Sequence, residues 1–189
     1  VFAGSSGGVD VAHRDAAVAL ADALARRGLE LVYGGGCVGL MGVLADAMLA
    51  RGGRVIGVIP HTLMVREVGH RGLTELKVVE SMHERKAMMA ELADGFIALP
   101  GGFGTLEELF EILTWAQLGL HGRPCGVLNI GGYYDALLNF LDHAHAQGFV
   151  RAEHRSMLLV ADDARDLLDQ FAHYRAPTTE TWLRRSEQT

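Results

Sequence analysis

One stretch constrains this chain more than any other: Pro100-Gly101-Gly102-Phe103-Gly104-Thr105-Leu106-Glu107-Glu108. The apolar run Phe96-Ile97-Ala98-Leu99 stops at Pro100, glycines crowd the next four positions, and apolar periodicity begins near Thr105. That order reads as a strand, a tight turn and a helix start. Glycines let the backbone turn sharply and let a ligand approach with no Cβ in the way. The N–H groups of a helix start, with the positive end of its dipole, form an anion site. Glu108 lies one turn into that helix, so an anion cradle and an acid are expected side by side.

The same grammar recurs along the chain. Val1-Phe2-Ala3 reads as the end of a strand that is expected to start upstream. Helices are expected over about 11–27, 39–51, 81–94, 105–118, 133–147 and 164–173, with a short helical piece before the last strand. Strands are expected at 29–33, at 54–59 with Pro60 as the stop, at 76–79, 95–99, 125–130 and 157–160. Residues 61–75, with His61, Arg66, Glu67, His70 and Arg71, show no clear period and are expected to form an irregular segment near the ligand. Alternating strands and helices with no second core imply an α/β fold: a Rossmann-like, doubly wound parallel sheet with helices on both faces. Residues 1–175 are read as one domain and 176–189 as a polar tail. In such a sheet ligands bind at the carboxyl ends of the strands, near the point where strand order reverses.

Two helices carry the candidate chemistry. In the helix from Ser81, Met82, Arg85, Met89 and Leu92 keep the spacing of one buried stripe, so Arg85 stands where an apolar residue is expected. A buried guanidinium needs an anionic partner, and Glu108 and Asp94 are the candidates. Lys86 is adjacent, either a further charge for a phosphate or a solvated lysine. In the helix after Thr105, Glu107, Glu111 and Thr114 share one arc. Glu108 points away from them, beside Ile112 and Trp115. Glu107 and Glu111 read as a solvated face placed favourably on the helix dipole. The segment Gly34–Gly42 reads equally as close packing or as ligand contact.

Other chemistries find little support. Gly4-Ser5-Ser6-Gly7-Gly8 lacks the G-x-G-x-x-G of a dinucleotide site and the G-x-S-x-G of a serine hydrolase. The nine histidines and two cysteines show no metal-ligand spacing. A net charge of −6 argues against a nucleic-acid or membrane-surface binder, and no apolar run is long enough to span a bilayer. A reducing cytoplasm is the default location.

The motif Pro100–Glu108 matches the PGGxGTxxE signature of the LOG ("lonely guy") family of cytokinin riboside 5′-monophosphate phosphoribohydrolases. Ser81-Met82-His83-Glu84-Arg85-Lys86-Ala87-Met88-Met89 resembles the family's second signature. Gly4-Ser5-Ser6, Val32-Tyr33-Gly34-Gly35-Gly36, Gly39-Leu40-Met41-Gly42 and Thr114-Trp115-Ala116-Gln117-Leu118-Gly119 look like further landmarks, so the resemblance spans about residues 1–165. It implies a homodimer, with a higher oligomer left open, and no metal or redox cofactor. It implies Arg85 and Glu108 as the catalytic pair. Gly102, Phe103, Gly104, Thr105, Leu106 and Glu107 would bind substrate, with Glu67, Lys86 and Thr114 contributing. The substrate would be a nucleoside 5′-monophosphate, split at its N-glycosidic bond. A nucleotide-binding sensor or carrier of the same fold is the alternative. An older family label, lysine decarboxylase, would require a pyridoxal-phosphate lysine, which no motif here indicates.

Overall fold

The structure is a computed structural model that describes residues 1–64 and 69–177. Glu67 and Arg66, singled out above, lie outside the described residues, as do most of the polar residues after 175. Elements alternate as expected: α1 (Val11–Arg26), β1 (Leu31–Tyr33), α2 (Gly39–Ala50), β2 (Val55–Pro60), α3 (His61–Met64) and β3 (Glu75–Val79). After them come α4 (Met82–Leu92), β4 (Phe96–Ala98), α5 (Phe103–Gln117) and β5 (Cys125–Leu128). A 3-10 turn at Ile130–Gly132, α6 (Asp135–Ala146), α7 (Ala152–Arg155), β6 (Leu158–Ala161) and α8 (Ala164–His173) complete the order.

The strands form two parallel triplets, β1-β2-β3 and β4-β5-β6. Residues 1–3 fill the seam between them. Phe2 pairs in parallel with Ala98; its N–H donates to Ile97 O at 2.8 Å and its carbonyl accepts from Leu99 N at 2.9 Å. On the other side Val1 N donates to Val32 O at 2.5 Å. The chain thus starts in the middle, walks outward to β3, and returns across the seam to walk outward to β6. The seam is the point where strand order reverses, and the loops after residues 1–3 and after β4 open there.

Strand residues alternate between two cores, as the two-residue period of a strand requires. Leu31, Tyr33, Val55, Ile97 and Leu128 pack with α1, α2 and α8 on one face. Val32, Ile56, Val58, Phe96, Ala98 and Val127 pack with Met89 and Ala90 of α4 and Leu109 and Ile112 of α5 on the other. On that second face α4 lies on β1, β2 and β3, whereas α5 lies on β4 and β5. The two helices that carry the candidate chemistry therefore belong to opposite halves of the sheet.

Several boundaries differ from expectation. Pro60 does not stop β2; it is its last residue, in register with Val79, where the missing N–H is least costly. Part of the aperiodic 61–75 segment is the single helical turn α3, too short to show a period. α5 starts at Phe103, two residues before the apolar periodicity reveals it. In α4 the stripe is only half buried: Arg85 is 7% exposed and Met89 3%, but Met82 and Leu92 at its ends are 45% and 39% exposed.

Candidate active site

Arg85 sits in α4, whose start is fixed by Ser81: its hydroxyl accepts from Glu84 N at 3.1 Å. The Glu84 carboxylate reaches back to Glu80 N at 2.8 Å. From this anchored helix the Arg85 side chain crosses beneath the sheet edge. Its Nε donates to Val58 O at 3.2 Å, and its Nη1 donates to Glu108 Oε1 at 2.5 Å. Both side chains are 9% exposed. Of the two partners the sequence allows, Glu108 is the one taken. A pair this buried is held by mutual charge, and removing one member costs about 3–5 kcal/mol because the other is left uncompensated.

A third group completes the seat. Gly34 follows β1, and a Cβ built there would lie 2.1 Å from Arg85 Nη2. The guanidinium therefore rests on bare backbone, and any side chain at position 34 would displace it. Close packing is thus what the first glycine of the 34–42 segment provides, and what it packs against is the candidate catalytic arginine. Gly42 is close-packed too, with a Cβ position 2.2 Å from Cys37 O.

The cradle lies beside this pair. Gly102 is the N-cap of α5 (φ −91°, ψ −151°), and no side chain caps the helix. The first intrahelical bond of the turn runs from Leu106 N to Gly102 O, which leaves the N–H groups of Phe103, Gly104 and Thr105 without helical partners. A Cβ at Gly102 or Gly104 would meet nothing within 4 Å, so no protein atom crowds either glycine on that side. Gly101 is different. Its Cβ position lies 2.1 Å from Thr105 Oγ1, and Thr105 is buried against it at 3% exposure. Phe103 projects outward at 94% exposure, while Leu106 is half-buried.

Glu107 and Glu111 are not simply a solvated face. Lys86 Nζ, with a side chain 10% exposed, bonds Glu107 Oε1 at 2.5 Å and Glu111 Oε1 at 2.9 Å. Burial works to lower the pKa of Lys86, but the hydrogen bonds to the two carboxylates outweigh it and raise the value. The structure thus groups Arg85 with Glu108 and Lys86 with Glu107 and Glu111 across the α4–α5 contact. Thr114 is not brought to this cluster. It is exposed, its hydroxyl donates to Phe110 O at 2.6 Å, and it faces a groove with Leu141, Val150 and His154. A cavity of about 650 Å³ lies among Leu29, Glu30, Asp94, Gly95 and Pro124. That is the amino-end edge of the strands, away from this chemistry.

Sequence reasoning missed two residues whose hydroxyls hold the loop after β4. Tyr133 Oη donates to Gly101 O at 2.7 Å and Tyr134 Oη to Leu99 O at 2.7 Å. The signal was the pair of tyrosines directly after Gly131-Gly132, read there only as the start of a helix.

Known proteins resemble the chain in sequence and in fold. The family described as "Possible lysine decarboxylase" matches over residues 41–171. The chain has two lysines: Lys86 is held by two carboxylates, and Lys77 bonds Glu75 at 2.6 Å. Neither lysine is arranged to carry pyridoxal phosphate. Cytokinin riboside 5′-monophosphate phosphoribohydrolase LOG1 of Arabidopsis thaliana is 50% identical over 174 residues, 92% of this chain and 82% of that protein. The LOG protein of Oryza sativa subsp. japonica bearing the same enzyme name is 47% identical over 198 residues, 96% of this chain and 82% of that protein. Among solved structures, the molybdenum cofactor binding protein of Rippkaea orientalis superposes with a TM-score of 0.67 at 19% identity, covering 90% of this chain and 93% of that one. The molybdenum cofactor carrier protein of Chlamydomonas reinhardtii gives 0.67 at 19%, covering 92% and 96%. At such identities the likeness is one of fold.

Proposed function

We propose, because this chain belongs to the LOG family of cytokinin riboside 5′-monophosphate phosphoribohydrolases, that its buried Arg85–Glu108 pair beside the uncapped start of α5 is the site of that hydrolysis. The enzyme cleaves the N-glycosidic bond of a cytokinin riboside 5′-monophosphate, or of AMP, and yields the free base and ribose 5-phosphate. The observation that carries the site is the 2.5 Å contact between Arg85 and Glu108 next to a helix start open to an anion.

The 5′-phosphate rests on the backbone N–H groups of Gly102, Gly104 and Thr105, with the Thr105 hydroxyl helping. Cleavage passes through a positively charged, oxocarbenium-like ribose. Glu108 stabilises that charge and orients or deprotonates the attacking water. Arg85 donates to Glu108 and fixes the direction of its carboxylate. Glu107, Phe103 and Leu106 border the cradle, and the substrate roles of Glu67, Lys86 and Thr114 rest on the family resemblance. The reading includes a homodimer working in the cytoplasm. Exposed Phe140 and Phe149, 62% and 88% accessible, support a covered surface on that side. No helix among the described residues is long and apolar enough to cross a membrane.

The test is incubation with AMP and with isopentenyladenosine 5′-monophosphate, followed by chromatography for free base. Release of adenine or isopentenyladenine is the expected result. Tight nucleotide binding with no base released identifies a sensor or carrier instead.

A further inference from the structure

Between β5 and α6 the chain runs Asn129-Ile130-Gly131-Gly132-Tyr133-Tyr134, a stretch the reaction scheme above leaves unused. Gly131 (φ 59°) and Gly132 (φ 74°) both take left-handed backbone, which side-chain-bearing residues adopt only with strain. Asn129 pins the turn they make: its Oδ1 accepts from Tyr134 N at 2.7 Å, and its Nδ2 donates to Asp135 Oδ1 at 2.8 Å. The turn delivers two adjacent tyrosine hydroxyls to the glycine loop after β4. Buried Tyr134 donates to Leu99 O and half-exposed Tyr133 to Gly101 O, each at 2.7 Å. The two rings meet edge to face at 5.0 Å, and His13 meets the Tyr133 ring in the same manner at 5.5 Å. Between the two gripped carbonyls, Pro100 O accepts from Gly4 N at 3.1 Å.

Three consecutive carbonyls of the signature loop are therefore held from outside the loop. In a planar trans peptide the C=O of one residue and the N–H of the next point in opposite directions. Holding Pro100 O fixes the direction of Gly101 N–H, and holding Gly101 O fixes Gly102 N–H, the donor at the N-cap of α5. Glycine backbone has no side chain to set these planes, so the setting must come from neighbours. We propose that Tyr133 is a positioning residue that presets the phosphate cradle by gripping Gly101 O, while Tyr134 anchors the start of the loop through Leu99 O, whose peptide partner Pro100 has no N–H to aim. Donors aimed before the ligand arrives need no reorganisation when it binds. The inference rests on the cradle reading of the preceding subsection.

Tyr133→Phe and Tyr134→Phe each remove one oxygen and keep the ring. Two measurements on the full chain test them: the kcat/KM ratio of AMP to adenosine, and binding of ribose 5-phosphate by calorimetry. Tyr133→Phe is expected to weaken ribose 5-phosphate about fivefold and to lower the AMP-to-adenosine ratio by a similar factor. Tyr134→Phe lowers the melting temperature, because a buried carbonyl loses its donor, and changes ribose 5-phosphate affinity less than Tyr133→Phe does. Unchanged ribose 5-phosphate affinity in Tyr133→Phe, or equal losses on AMP and adenosine in that variant, overturns the inference. A wild-type protein that binds ribose 5-phosphate but releases no base removes the hydrolase reading, and the calorimetric comparison still decides the role of the tyrosines. A wild-type protein that does not bind ribose 5-phosphate overturns the cradle and this inference together.

Discussion

At the scale of single residues, the arrangement turns on what Arg85 touches. Its place on a buried stripe made it anomalous in the sequence, because a guanidinium at apolar spacing needs a carboxylate. Its support on Gly34 was not legible. Pattern reveals that a glycine follows a strand, but not which distant side chain occupies the space its missing Cβ leaves. Gly34→Ala is expected to keep the fold, since the obstructing atom is the far end of a flexible side chain. It should lower kcat for base release at least tenfold with little change in KM, as read by steady-state assay. Glu108→Gln should abolish turnover while AMP affinity, measured by calorimetry, stays near normal, because the amide oxygen still accepts from Arg85 Nη1. Near-normal turnover in that variant would remove Glu108 from the reaction. Glu108→Ala leaves Arg85 unpaired and should destabilise the fold by about 3 kcal/mol, visible in denaturant unfolding.

At the scale of elements, α5, like α2, α6 and α7, begins without a side-chain cap, and it alone of these opens directly after the glycine loop that follows β4. Asp10 caps α1, Ser81 caps α4 and Asp163 caps α8, each accepting a helix N–H; Gly102 caps α5 with nothing. On the proposed reading, the acceptor missing there is supplied by the ligand. Gly102→Asp should therefore supply the missing acceptor. With open space around position 102 and a permitted φ, a melting temperature equal to or up to about two degrees above wild type is expected. Affinity for AMP should fall at least tenfold, because the carboxylate occupies and repels the phosphate position. Unchanged AMP affinity would mean that the anion sits elsewhere. The glycine run and the following acids made this helix start legible before any coordinates. The Lys86 bridge to Glu107 and Glu111 was not, because it joins two helices and a helical wheel describes only one. Residues 61–64 form a helical turn that no periodicity could announce, since one turn contains no repeat.

At the scale of the whole molecule, two environments outside the site can be read in solution. His121 lies against Phe96, with Nε2 2.9 Å from Ile112 O and Nδ1 accepting from Arg123 N at 3.2 Å. Burial, and secondarily the Arg123 charge, lower its pKa despite the bond to Ile112. The unfolded chain then binds the proton more readily, so stability present above about pH 6.5 is lost as pH falls through the folded value. The slope of melting temperature against pH between 7 and 5 should be shallower in His121→Gln than in wild type. Burial also pushes the Cys125 thiol up to about 12, whereas Cys37 is exposed. Mass spectrometry after brief iodoacetamide treatment should find one label on the native protein and two after unfolding. The doubly wound architecture was legible because strand and helix alternate without a break. The seam was not, since its filling strand contributes a single bridging residue, Phe2. Arg85 comes from the half before that reversal and Glu108 from the half after it. Cut between α4 and β4, near Ala93, neither fragment would hold both Arg85 and Glu108. Base release from the mixed fragments would then report their reassembly, so the catalytic centre doubles as an assay of its own fold.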